Sequence, residues 1–201
     1  MELLLTLAIF LFSAIIHEIS HGLMAERFGD YTARDAGRIT LNPIPHIDPF
    51  GSILLPGLLL FLQSPVVFGA AKPVPVNIEN MRSKRLGMAM VSLAGPLSNA
   101  ILAVLLILPV SFGLISGTVG DLWVKASVIN VVLAVFNILP IPPLDGSKIV
   151  ASLLPEEWMY KLLELERYGF VIIFIFLMLG LLERILLPVL FAFFAIFGIT
   201  L

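Results

Sequence analysis

Long apolar runs dominate the chain, at 3–25, 86–116, 122–140 and 168–182, with a fifth at 185–200. Runs of this kind suit a hydrocarbon layer about 30 Å thick. Lipid offers no partner to a backbone N–H or C=O, so each segment has to satisfy its own polar groups, which a helix does and an isolated strand does not. The expected class is therefore an all-α polytopic membrane protein. Composition agrees: 13% of residues are charged and 59% hydrophobic, with a mean hydropathy of +1.06, whereas a soluble domain has about 25% charged residues. The 201 residues suit one domain. A net charge of −2 provides no basic field for phosphates, which excludes nucleic acid as a partner. The absence of cysteine excludes disulfides, thiol nucleophiles and thiolate metal sites.

The first run has the length of a secretory signal core over Leu3–Ile16, but it lacks a cationic lead and a small-residue cleavage site, and its apolar character continues to Met24. A retained transmembrane helix is expected. The stretch 50–71 is apolar yet broken by Pro56, Gly57, Gln63, Ser64 and Pro65, which suits a re-entrant loop. Prolines recur from Thr32 to Val76, and short interfacial strands are expected at Arg38–Asn42 and Val74–Asn77. Segment 152–167 reads as an amphipathic connector with Trp158, Leu162, Leu165 and Tyr168 on one face. The last two runs are separated only by Glu183-Arg184, which fits either a tight hairpin or one broken helix.

Arg27, Arg34, Arg38, Lys72, Arg82, Lys84 and Arg85 all lie between the first and second long helices, and Gly113–Asp121 has no Lys or Arg. The positive-inside rule then puts the first loop in the cytoplasm and the N-terminus on the far side.

The chemistry begins inside the first helix, where His17-Glu18-Ile19-Ser20-His21 fits H-E-x-x-H. Residues four apart differ by about 400° of rotation, so both imidazoles face one way and share a metal, while Glu18 lies close enough to handle a water there. Three titratable residues lie in this apolar helix, where a charged side chain costs at least about 2.5 kcal/mol on insertion scales, which favours a functional role over polar glue between helices. Imidazole and oxygen donors suit Zn²⁺, and a catalytic site commonly takes three protein ligands. The third has to come from elsewhere. Asp145, after three prolines and before Gly146, stands out, with N-capping of the next helix as its ordinary role. His46 and Asp48 in Asn42-Pro43-Ile44-Pro45-His46-Ile47-Asp48-Pro49 are the rivals.

Three motifs together resemble the site-2 protease family of intramembrane zinc metalloproteases, in its compact bacterial and archaeal branch. They are His17 to His21, Ala94-Gly95-Pro96-Leu97-Ser98-Asn99, and Asn137 to Gly146 in the form N-x-x-P-x-x-x-x-D-G. The resemblance implies a three-helix catalytic core followed by C-terminal helices, with the core at 1–150 and a connector with C-terminal membrane segments at 151–201. It implies one zinc held by His17, His21 and Asp145, with Glu18 as general acid/base. Asn137 and Asn99 would lie near the scissile peptide of a transmembrane protein substrate. It also implies a multi-pass protein of a prokaryotic plasma membrane, with the bilayer itself as a partner. Ser147-Lys148 stands where the family commonly has Gly-Arg, and no PDZ insertion is present. The competing class is a transporter or a zinc-binding scaffold without turnover. The lack of an internal repeat speaks against the first, and Glu18 against the second.

Overall fold

The computed structural model describes residues 2–48, 54, 61 and 72–200. The first long helix, α1, runs Glu2–Arg27, and a single turn, α2, follows at Thr32–Asp35. After the loop come α3 (Lys84–Ser111) and α4 (Gly117–Ile138), then the shorter α5 (Asp145–Leu153) and α6 (Glu156–Glu164). Two apolar helices, α7 (Gly169–Met178) and α8 (Leu181–Ile196), close the chain. Among the described residues α1, α3 and α4 are each long and apolar enough to cross a membrane, and a bent pair ending in α7 and α8 adds up to one more.

Helix α3 is the centre of the bundle, packed against α1, α4 and α5. Small residues permit that closeness, since lipid tails give apolar side chains little reason to leave them and close backbone approach becomes the main source of attraction. Ala103 is fully buried on α3, and Ser127 of α4 donates its hydroxyl to the Ala103 carbonyl at 2.9 Å. One apolar cluster joins Ala103, Ile107, Val131, Leu190 and Phe194, tying α3 and α4 to α8. A second joins Leu139, Ile141, Leu144 and Leu182 beneath α7.

Several expectations are corrected. No strand is present among the described residues. At Arg38–Asn42 the side chains of Thr40 and Asn42 take the N–H groups of Asn42 and Ile44, at 3.2 and 3.1 Å, and such local bonds curl the backbone away from a ladder. Lys72–Asn77 pairs with no strand among the described residues: Pro73 and Pro75 have no N–H, and the donors of Val74 and Asn77 go to the carboxylates of Glu18 and Asp30. The re-entrant reading of 50–71 falls on residues that, apart from 54 and 61, lie outside the described ones.

The C-terminal break falls at Leu179–Gly180 rather than at Glu183-Arg184, with a bend of 73°. Gly180 takes φ +64, a left-handed conformation that glycine adopts without steric cost. Glu183 then sits in the first turn of α8, where a carboxylate complements the helix dipole. The connector helix α6 turns Met159 inward against Met88 and Ala151, with Leu162 partly buried beside them. Trp158, Leu165 and Tyr168 are exposed.

Candidate metal centre

Helix α1 presents His17 and His21 on its buried side, one turn apart, with ring centroids 4.6 Å from each other. Opposite them, the chain leaves α4 through Leu139–Leu144 and starts α5 at Asp145. Gly146 makes this junction tight, because a Cβ there would collide with the carbonyl oxygens of Ile138 and Leu139. Leu144 occupies the cap position and no side chain caps the helix, which leaves the Asp145 carboxylate to face α1. Asp145 Oδ2 lies 3.0 Å from His17 Nε2 and 3.2 Å from His21 Nε2.

The other imidazole nitrogens are also engaged. His17 Nδ1 donates to Asn99 Oδ1 at 2.6 Å, and His21 Nδ1 donates to the Val91 carbonyl at 2.7 Å. An amide or carbonyl oxygen only accepts, so each Nδ1 carries the proton, and a ring that is neutral in this tautomer would offer the lone pair of Nε2 to the space shared with Asp145. One ligand atom from each of the three residues lies within 4.8 Å of the others. Atoms bound about 2.0–2.1 Å from one tetrahedral ion stand about 3.3 Å apart, close to the two spacings to Asp145. Two neutral imidazoles and a carboxylate in this arrangement fit a divalent cation. Gly95 of α3 provides the room, since a Cβ there would come within 2.5 Å of both Nε2 atoms.

Glu18 is half-buried, and its Oε2 accepts the Val74 N–H at 2.7 Å. The strap carrying Val74 is anchored at both ends. Lys72 N–H donates to the His46 carbonyl at 2.8 Å, Arg38 Nη2 donates to the Lys72 carbonyl at 2.7 Å, and Asn77 N–H donates to Asp30 Oδ2 at 2.7 Å. Asp30 is buried. Burial opposes its charge, but hydrogen bonds from the Thr32 hydroxyl, the Asn77 N–H, the Asn80 amide and the Thr32 N–H outweigh that and hold it below the usual carboxylate range.

His46 is fully buried and gives its Nε2 proton to the Thr40 carbonyl at 2.9 Å. Neither it nor Asp48 belongs to the potential ligand group found among the described residues. Asn99 is also fully buried and is spent on His17, Ser13 and Asn130. Asn137, half-buried, donates to the Leu133 carbonyl of its own helix at 2.9 Å. Sequence reasoning missed Asn130 and Ser13. Asn130 carried a signal as an amide inside an apolar helix seven residues before Asn137, and Ser13 lies one turn before His17 on the same face.

Comparison with known proteins bears on the same residues. Peptidase family M50 matches at residues 113–181, which include Asn137 and Asp145. "Putative zinc metalloprotease YwhC" of Bacillus subtilis is 39% identical over 190 residues, covering 89% of this chain and 82% of that protein. "Putative zinc metalloprotease Rip2" of Mycolicibacterium smegmatis is 31% identical over 208 residues, covering 98% of this chain and 75% of that protein. No solved structure matches the chain significantly. With relatives 39% and 31% identical that cover 89% and 98% of the chain, the chain belongs to peptidase family M50, the site-2 protease family.

Proposed function

We propose that the protein is an intramembrane zinc endopeptidase that hydrolyses peptide bonds of transmembrane proteins near the cytoplasmic face. The observation that carries this reading is the convergence of Asp145 Oδ2 on both Nε2 atoms, 3.0 and 3.2 Å away, beside a carboxylate, Glu18, that is not part of the group. A structural metal site has no need of that fourth residue. His17, His21 and Asp145 hold the zinc. When bound, the ion supplies Lewis acidity, polarising a carbonyl and making water a better nucleophile. Glu18 takes the proton from the attacking water and delivers it to the leaving amine nitrogen. Asn99 holds His17, while Asn137, not fully buried, is the asparagine that serves the substrate.

Depth supports a substrate within the bilayer. His17 lies ten residues from Arg27, about 15 Å along the helix, so the centre is submerged yet within reach of cytoplasmic water. The outer faces of α1 and α3 leave Leu3, Leu4, Leu7, Phe12, Leu97, Ile101 and Leu105 exposed, as a multi-pass protein of a cell membrane requires. Division of the chain into a core at 1–150 and an appendage at 151–201 has one qualification: α8 packs on α3 and α4 through Leu190 and Phe194, so the appendage also supports the core. A transmembrane substrate hides its carbonyls in i to i−4 hydrogen bonds, and cleavage requires local unwinding.

The test is cleavage, by the full chain in proteoliposomes, of membrane peptides that carry a helix-breaking Gly-Pro near the cytoplasmic end or at the opposite end. Cuts confined to the first peptide, abolished by a zinc chelator and restored by zinc, are expected. Equal cutting of a soluble unfolded peptide and neither membrane peptide would contradict the intramembrane reading.

A further inference from the structure

Beneath the metal centre, three helices contribute a closed set of buried polar groups: Ser13 of α1, Asn99 of α3 and Asn130 of α4. Their exposures are 5%, 0% and 2%, so water is not available to them and each hydrogen bond has to be made within the protein. Asn99 Nδ2 donates to Asn130 Oδ1 at 2.8 Å and to the Ser13 carbonyl at 3.2 Å. Asn130 Nδ2 in turn donates to Ser13 Oγ and to the Ala126 carbonyl, both at 2.9 Å.

These bonds have a direction. The Ala126 carbonyl only accepts, which fixes the NH₂ end of Asn130 and turns its oxygen toward Asn99. That oxygen and the Ser13 carbonyl fix the NH₂ end of Asn99, which turns the Asn99 oxygen toward His17. If the Asn99 amide were reversed, its NH₂ would face the proton on His17 Nδ1, and its oxygen would face the Ser13 carbonyl and Asn130 Oδ1. All these clashes would occur in a low-dielectric interior, where unpaired polar groups are most strongly disfavoured.

We infer that Asn130 and Ser13 are positioning residues for the metal centre: they lock the Asn99 amide, which holds the proton on His17 Nδ1 and reserves His17 Nε2 for the metal. Neither touches a ligand atom. The inference rests on the ligand set proposed above and adds to it a relay that begins on α4, so the packing of α4 against α1 and α3 is coupled to the orientation of the first histidine. Partners of this kind typically change metal affinity or activity by about 10- to 100-fold when removed.

The experiment uses the full chain in detergent. Zinc affinity is measured by competition with a chelator, and the imidazoles are observed by ¹⁵N NMR of the zinc-loaded protein, where only three histidines contribute. Asn130→Ala is expected to weaken zinc about tenfold and to speed exchange of the His17 Nδ1 proton with water. His46 should be unaffected. Asn130→Asp, protonated in this buried site so that its hydroxyl can serve the Ala126 carbonyl while its other oxygen faces Asn99, should recover most of that affinity. Ser13→Ala removes one acceptor of Asn130 and should fall between Asn130→Ala and wild type; it decides the matter if the Asn130 variants do not fold. Wild-type affinity and an unchanged His17 proton in Asn130→Ala, or in Ser13→Ala when that is the deciding variant, would overturn the inference and leave these residues as links between helices. A wild-type chain without stoichiometric zinc would instead overturn the metal centre itself.

Discussion

Asp145 Oδ2 lies 3.0 Å from His17 Nε2 although 128 residues separate the two in the chain. The contact closes the core, since it joins the buried face of α1 to the turn at which α4 gives way to α5. Removing the carboxylate leaves two neutral imidazoles to hold an ion alone. Asp145→Ala should therefore lose most of its zinc, while His46→Ala, which removes a bond to the Thr40 carbonyl, should keep it. Metal analysis of the two purified variants checks this, and the reverse pattern would make His46 the third ligand.

Gly95 has no room for a side chain beside the histidines. A Cβ there would come within 2.5 Å of both Nε2 atoms and within 2.6 Å of His21 Cε1, and stiff aromatic rings cannot yield as a long flexible chain would. Gly95→Ala should cost about 10- to 100-fold in zinc affinity with helix content retained. Circular dichroism and chelator competition on the same sample separate the two effects.

Asp30 ties the strap over Glu18 to the end of α1. Asp30→Ala leaves the donors of Thr32, Asn77 and Asn80 without their acceptor, and should destabilise the fold by about 2–4 kcal/mol. Because its pKa is lowered on folding, its contribution is fully present above the unfolded carboxylate pKa of about 3.9. That contribution fades as pH falls through the lower folded value. Unfolding of Asp30→Asn followed across pH 2–6 should show a shallower acid loss than wild type.

The proposed orientation rests on the arginines and lysines between 27 and 85. Ser83 and Thr118 are both exposed, and they lie beyond opposite ends of α3. An impermeant thiol reagent should label Ser83→Cys only from the cytoplasmic side and Thr118→Cys only from the other. The chain has no cysteine of its own to confuse the result. Inverted labelling would put the centre near the far face.

The long helices were legible because apolar length is a direct physical requirement of the bilayer, and the shared side of His17 and His21 was legible because helical rotation fixes it. Asp145 stood out from its prolines and Gly146, yet His46 and Asp48 stayed open as rivals, since the meeting of α1 with the end of α4 is a tertiary fact. The expected strands failed because Thr40, Asn42, Glu18 and Asp30 bind the backbone donors that a ladder would have used. The break before α8 was misplaced because charge was taken as the punctuation, when a left-handed glycine supplies it. Asn130 and Ser13 escaped notice because one amide and one hydroxyl in apolar helices acquire meaning only when three helices bring them together.

The most direct test of the central claim is Glu18→Gln in the purified full chain, with bound zinc and substrate cleavage measured on the same preparation. The amide keeps the size of the side chain and an oxygen for the Val74 N–H, but it does not take up a proton. The account predicts one zinc per chain and cleavage reduced at least about 100-fold. Stoichiometric zinc with undiminished cleavage would contradict it, by removing Glu18 from the reaction.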